Sequence, residues 1–194
     1  MGNPLWAPWR MEYIQAPKER GECIFCGVLS APEEERRARL VVSVTRRGCV
    51  MLNRYPFASG HLLVVPHAHV ASLDQLEPAD HDALFRLVRE SASRLRAAVR
   101  AEGLNIGMNL GAVAGAGVAA HLHVHIVPRW GGDTNFMPVI ADTRVMPQSL
   151  EATRAHLDGF FQDLPADLVD GGVLPAGGAA GTAGAPGEAG DTVT

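Results

Sequence analysis

The apolar positions along this chain change period several times, and each change marks an element. Leu40-Val41-Val42-Ser43-Val44 and Cys49-Val50-Met51-Leu52-Asn53 are short runs rich in β-branched side chains, separated by Thr45-Arg46-Arg47-Gly48. That arrangement predicts a hairpin. Tyr55-Pro56-Phe57-Ala58-Ser59-Gly60 reads as a loop feeding a third apolar strand, His61-Leu62-Leu63-Val64-Val65, which Pro66 stops. From Pro78 to about Glu102 the period becomes helical: Leu84, Leu87, Val88, Leu95 and Ala98 keep the three–four spacing, with Arg86, Arg89, Glu90, Arg94 and Arg96 on other faces. Pro78 suits the first turn, and Gly103 is expected to close the helix. Asn105 to Leu110 then reads as a strand, 111–120 as a Gly/Ala-rich loop, 121–128 as a last strand, and 148–163 as a terminal helix. The sum is an α+β domain: a mainly antiparallel sheet of about five strands, one long packed helix and a C-terminal helix.

Composition changes this picture at the C-terminus. Residues 171–194 are mostly Gly, Ala and Thr with two prolines and no aromatic side chain, too little apolar area to offset the ordering entropy. A disordered tail is expected there, after a catalytic domain spanning 1–170. The 194 residues carry a formal net charge of −4, which offers no broad basic field for nucleic acid. No apolar run approaches the roughly 20 residues that span a bilayer. The N-terminus lacks a basic region followed by an apolar stretch, so a cytoplasmic location is expected. The three cysteines fit a reducing compartment better than a disulfide framework.

The histidines carry the chemistry. Six of the eight fall in two clusters, at 61, 67 and 69 and at 121, 123 and 125. In His121-Leu122-His123-Val124-His125-Ile126-Val127-Pro128 the alternation favours a strand, which would put three imidazoles on one face and Leu122, Val124 and Ile126 in the core. On a helix, His123 would point away from the other two. A lone histidine on a sheet face is best read as a solvated polar residue; three in alternation are not. They could hold a metal, or one could act as a nucleophile while its neighbours handle protons and charge. The preceding loop, Gly111 to Val118, has no carboxylate to support a metal. Its backbone amides suit an anion, which favours phosphorus chemistry. A neutral imidazole nucleophile also needs an acceptor on its second nitrogen, and a carbonyl of the Gly/Ala loop is a candidate.

His121-x-His123-x-His125-x-x-Pro128-Arg129, together with Asn53-Arg54-Tyr55-Pro56 and Ser59-Gly60-His61-Leu62-Leu63-Val64-Val65-Pro66, resembles the histidine triad (HIT) family of nucleotidyl hydrolases and transferases. The resemblance covers most of residues 20–140. It implies that Asn53 binds ribose, that His61 supports the nucleophile from behind, that His123 attacks the α-phosphorus, and that His125 binds the phosphate and stabilises its charge. A covalent nucleotidyl-His123 intermediate follows, then transfer to water or another acceptor. Asn109, Gly115, Gly117, Arg129 and Trp130 are further nucleotide or phosphate contacts on this reading. The usual Gly-Gln-Ser/Thr-Val run of the phosphate loop is here Gly115-Ala116-Gly117-Val118, one residue further from His121, which leaves mainly the backbone donors of Gly115 and Gly117.

The flanks Leu5-Trp6-Ala7-Pro8-Trp9-Arg10 and Arg129-Trp130-Gly131-Gly132-Asp133 resemble the bacterial branch that phosphorolyses diadenosine polyphosphates. Cleavage of diadenosine tetraphosphate with inorganic phosphate as acceptor is therefore the expected activity, with hydrolysis as its close rival. Phosphoramidase or adenylyl-conjugate hydrolase activity, and a regulatory nucleotide-binding module, are the alternatives. The family also implies a structural zinc on Cys23, Cys26, His69 and His121, with His67 the alternative to His69, and a two-fold homodimer through the long helix and adjacent sheet edge. Cys49, on a strand, is read as a small buried apolar residue.

Overall fold

The computed structural model describes residues 23–133, 146–165 and 168. The expected tail, the aromatic N-terminal flank with Trp6, Trp9 and Tyr13, and residues 134–145 lie outside the described residues.

The chain opens with two short helices, α1 (Ile24–Ser30) and α2 (Glu33–Ala38), neither of which the apolar pattern announces. Pro32 separates them, because the residue before a proline is pushed out of the helical region; Ala31 is extended, at φ −72° and ψ 154°. In α2, Glu33, Glu34 and Glu35 lie in the first turn and Arg36 and Arg37 in the last, the order that complements the helix dipole.

Five strands follow: β1 (Val41–Val44), β2 (Gly48–Leu52), β3 (Leu62–Pro66), β4 (Gly103–Gly107) and β5 (Val124–Arg129). They form one sheet in the order β1-β2-β3-β5-β4, every pairing antiparallel. The hairpin stands where the sequence puts it. Gly48 must be glycine there, since a Cβ would meet the carbonyl oxygen of Val65 at 2.6 Å. Between β3 and β4 runs the long helix α3 (Pro78–Val99), and after β5 comes α4 (Leu150–Phe161).

Leu84, Leu87, Val88, Ser91 and Leu95 form the buried stripe of α3. Leu84, Leu87, Val88 and Leu95 pack on Val50, Leu52, Leu62, Val64, Val124 and Ile126 of the sheet, with Leu157 and Phe161 of α4 closing the cluster. Each such side chain contributes about 1.5–3 kcal/mol by burial. Arg94 of α3 ties the two helices together by donating to the carbonyls of Phe160 and Asp163, both at 2.7 Å.

Two expectations need correcting. Gly103 does not close the long helix: Arg100 takes the left-handed cap position at φ 51°, its N–H reaching the carbonyl of Arg96, and Gly103 opens β4. The last strand begins at Val124, so His121 and His123 precede it. The alternation survives all the same. Leu122 is buried in the main core and its N–H donates to the carbonyl of Val70 at 2.6 Å, leaving a histidine on either side.

Candidate active site and metal-ligand cluster

The opposite face of the sheet carries the odd-numbered strand residues. Cys49, Leu63 and Val65 pack there under Phe25 and Leu29 of α1. One lateral row crosses four strands, Met51–Leu63–His125–Gly107. Strand pairing therefore delivers His125 to this face. Gly107 puts no side chain next to it, and a Cβ there would meet nothing within 4 Å.

His123 is buried, and its Nδ1–H donates to the backbone carbonyl of His121 at 2.8 Å. That bond assigns the tautomer, and the lone pair of the neutral ring falls on Nε2. The acceptor is thus His121 itself and not, as the sequence suggested, a carbonyl of the Gly/Ala loop. The His125 ring stands edge-on to His123 with centroids 5.0 Å apart. Phe25 packs against both His121 and His123, at 5.3 and 5.2 Å between centroids. His61 Nε2 lies 3.0 Å from His125 Nδ1. His61 consequently backs His125, not the presumed nucleophile as the family pattern implied. Gly60, at φ +83°, makes the turn that delivers His61 to its place.

These rings are electrically neutral near pH 7. Burial, with the neighbouring His125 and His123 imidazoles, takes His61 from 6.5 down to about 3. Burial and His123 take His125 to about 4, and burial also lowers His123 against its hydrogen bond to His121. Desolvation disfavours imidazolium, and rings this close cannot all carry charge. Neutrality is what a nitrogen nucleophile requires.

Behind His123 lies a second cluster. One ligand atom from each of Cys23, Cys26, His69 and His121 falls within 4.8 Å of every other. His121 Nδ1 is 3.3 Å from Cys23 Sγ and 3.6 Å from Cys26 Sγ, and His69 Nδ1 is 3.3 Å from Cys26 Sγ. A tetrahedral zinc with two thiolates and two imidazoles has sulfur–nitrogen edges of about 3.5 Å, so the donor set fits that ion. The Nε2–H of His121 donates to the carbonyl of Pro66 at 2.9 Å, leaving Nδ1 free for a metal, as supporting partners of ligating histidines do. His67, the sequence alternative, stays outside the cluster, its Nε2 buried and without a partner among the described residues. Cys49 is buried in the α1-side core, its thiol pushed up to about 12 by desolvation.

Asn53 sits beside His61, its Oδ1 accepting from the N–H of Tyr55 at 2.9 Å. Asn109 braces the Gly/Ala loop through the carbonyl of Gly115 at 3.5 Å. The Gly115 amide donates to Ala112 at 3.0 Å and is not a spare donor; the Gly117 amide donates to no backbone carbonyl among the described residues. Arg129 and Trp130 are not brought to the histidines. Arg129 ends β5, pairing with Asp133 and donating to Asn105 Oδ1 at 2.9 Å. The Trp130 indole N–H donates to the carbonyls of Val99 and Arg100 at the end of α3. Sequence reasoning missed Phe25, although an aromatic between the two cysteines of a ligand motif was a signal. It also missed Phe57, whose ring stacks on His61 at 5.2 Å and 19°.

An α+β sheet carries neutral histidines on one face, one with a lone pair available for nucleophilic chemistry, and a Cys2His2 cluster stands behind them. The family model for the HIT domain matches residues 35–132, and the chain belongs to the HIT family. It is 37% identical over 158 residues to an "AP-4-A phosphorylase" of Mycobacterium tuberculosis, covering 79% of this chain and 81% of that protein. It is 33% identical over 115 residues to an uncharacterised HIT-like protein of Saccharolobus solfataricus, covering 59% and 79%. The fold matches a crystal structure described as a zinc-bound histidine triad family protein from Mycobacterium smegmatis, with a TM-score of 0.57 and 27% identity over 72% of this chain and 92% of that one.

Proposed function

We propose that this protein cleaves dinucleoside polyphosphates such as diadenosine tetraphosphate through a nucleotidyl-His123 intermediate, with inorganic phosphate as acceptor. The observation that carries the reading is the hydrogen bond from His123 Nδ1–H to the His121 carbonyl, which leaves a neutral Nε2 lone pair in a buried site. Nε2 attacks the α-phosphorus, a P–N bond forms, and the bond to the bridging oxygen breaks with its electron pair leaving on ATP. An oxygen of phosphate then attacks the same phosphorus, the P–N bond breaks, and ADP departs as His123 regains its lone pair. His125 stabilises charge on the transferring group, which in phosphoryl chemistry spreads over several oxygens and rewards fixed donors. Asn53, beside His61, binds the ribose. The likeness to the "AP-4-A phosphorylase" supports phosphate as the acceptor.

Cys23, Cys26, His69 and His121 would hold a zinc ion whose contribution is to the fold: all four ligands come from the protein, as in structural sites. A homodimer built along β4 is part of the same proposal, supported by the place of β4 at the sheet edge and by exposed Ile106 and Leu110.

One incubation tests the reaction. With diadenosine tetraphosphate, ADP plus ATP formed only when phosphate is present is the expected result. AMP plus ATP without phosphate would mean hydrolysis, and tight binding without turnover would mean a regulatory module. Faster cleavage of an adenosine phosphoramidate would move the substrate class to phosphoramidates.

A further inference from the structure

Cys23 and Cys26 stand where the metal-ligand cluster meets His123. Cys23 precedes α1 and Cys26 lies in its first turn, which brings their sulfurs within 4.8 Å of each other. Both are half-buried, within reach of a small solute, whereas Cys49 is a buried thiol that desolvation keeps protonated. Between the two in sequence, the buried Phe25 ring packs on His121 and His123 with centroids 5.3 and 5.2 Å away. The His121 ring lies 3.3 Å from Cys23 Sγ, and its backbone carbonyl holds the Nδ1–H of His123 at 2.8 Å. Two short paths, one through a side chain and one through the backbone, thus join the sulfurs to the proposed nucleophile. A zinc ion on the cluster keeps both sulfurs as thiolates, the form of cysteine that oxidants attack.

We propose that Cys23 and Cys26 form a reversible oxidation site for small peroxides such as hydrogen peroxide, and that their disulfide releases the metal and displaces His123. One thiolate attacks a peroxide oxygen, the O–O bond breaks, hydroxide leaves and the sulfur becomes a sulfenic acid. The second thiolate attacks that sulfur, an S–S bond forms and a second hydroxide leaves. Two thiolates have then given two electrons to one peroxide. The new bond is about 2.0 Å long, and its sulfurs carry no charge with which to hold a metal. His69 and His121 remain, two of the four ligands that zinc requires. As the 23–26 turn closes on itself, Phe25 and the His121 carbonyl shift, and the Nε2 lone pair of His123 loses its aim. A dithiol reductant restores both thiols by exchange with the disulfide. The inference rests on the zinc-binding and nucleophile roles proposed above.

The test uses the full-length, zinc-loaded protein with ¹⁵N-labelled histidine, and hydrogen peroxide as the probe. Oxidation should lower the intact mass by two hydrogen atoms, leave Cys49 as the only remaining thiol of the three, and release the zinc to a colorimetric chelator. Peptide mapping should place the new bond between Cys23 and Cys26. Long-range ¹⁵N–¹H correlation should show the His123 signals move on oxidation and return with dithiothreitol and zinc. Turnover of diadenosine tetraphosphate should fall about 10²-fold, the cost of a reacting group misplaced by about 1 Å, and recover on the same treatment. Cys49→Ala should respond as the wild type does. A disulfide that includes Cys49, or cysteines that pass to sulfinic acid without pairing, overturns the proposal. So does a Cys23–Cys26 bond that leaves zinc in place or leaves the His123 signals unmoved. Metal analysis of the reduced protein, made first, tells a failed zinc reading from a failed oxidation site. If the reduced protein does not cleave diadenosine tetraphosphate, the proposed reaction fails while the mass, the zinc and the histidine spectra still decide this inference.

Discussion

The two faces of this sheet are made from the same strands by the same alternation, yet they do opposite things. Even-numbered residues, Val50, Leu52, Leu62, Val64, Val124 and Ile126, enter a core closed by α3 and α4. Odd-numbered residues face α1, which covers Cys49, Leu63 and Val65. His61 and His125 lie outside that second cluster, with the exposed Gly107 beside His125 in the pairing register. A closed face can be filled with aliphatic side chains and owes its energy to burial. A face covered only in part leaves neutral imidazoles dry enough to lose their charge and near enough to solvent for a substrate. The site is thus what the sheet becomes where its second layer stops.

The sharpest break between the faces is His123→Ala. Loss of the proposed nucleophile should cut turnover of diadenosine tetraphosphate by 10⁴-fold or more, on the order of other nucleophile deletions, while thermal unfolding stays close to wild type. A variant with appreciable turnover would remove His123 from that role. Leu95→Ala on the closed face should do the reverse. It empties a fully buried position at a cost of about 2–5 kcal/mol in unfolding free energy, with the rate per folded molecule little changed.

Metal removal probes the seam between α1 and the histidine segment. Cys23 and Cys26 come from the start of α1, His69 from the turn after β3 and His121 from the approach to β5, so one ion would join three segments. At a thousandfold excess over its dissociation constant, zinc should stabilise the folded chain by about 4 kcal/mol. Melting with and without a chelator reads this, and metal analysis should find about one equivalent per chain, lost in Cys26→Ser. Equal melting temperatures would show that the cluster holds no stabilising ion.

Acid separates the faces in another way. His61 has its folded pKa lowered from 6.5 to about 3, so between these values the unfolded chain binds the proton and the folded one does not. Stability therefore rises with pH up to about 6.5 and is flat, for this group, above it. At pH 5 the loss from His61 alone is about 2 kcal/mol. Urea unfolding at pH 7 and pH 5 should show a smaller difference in His61→Gln than in wild type. An unchanged difference would mean that His61 does not titrate as its burial requires.

Periodicity made the closed face legible: the β-branched runs and the three–four stripe of α3 predicted their elements because burial imposes those periods. The alternating histidines were legible for the same reason. The short helices were not, since α1 and α2 bury few residues; their signals were Pro32 and the acidic-then-basic run from Glu33 to Arg37. Residue identity suggested which side chains cluster around Cys23 and Cys26, but the choice of His69 over His67 came only from family spacing. The group that assigns the His123 tautomer, the His121 carbonyl, belongs to the backbone. Every residue has one, so no sequence pattern could single it out.

Arg129 is the smallest effect and the cleanest check on that lesson. It follows the triad closely in sequence, and a cation near a phosphate site is an attractive reading. On a strand, however, four residues from His125 to Arg129 span about 13 Å. There the exposed guanidinium pairs with Asp133 and reaches Asn105. An exposed ion pair of this kind contributes about 0–1 kcal/mol. Arg129→Ala should therefore leave KM for diadenosine tetraphosphate and kcat within about twofold of wild type and lower stability by less than about 1 kcal/mol. A tenfold rise in KM would return Arg129 to the substrate and require the end of β5 to lie nearer His123 and His125 than this fold places it.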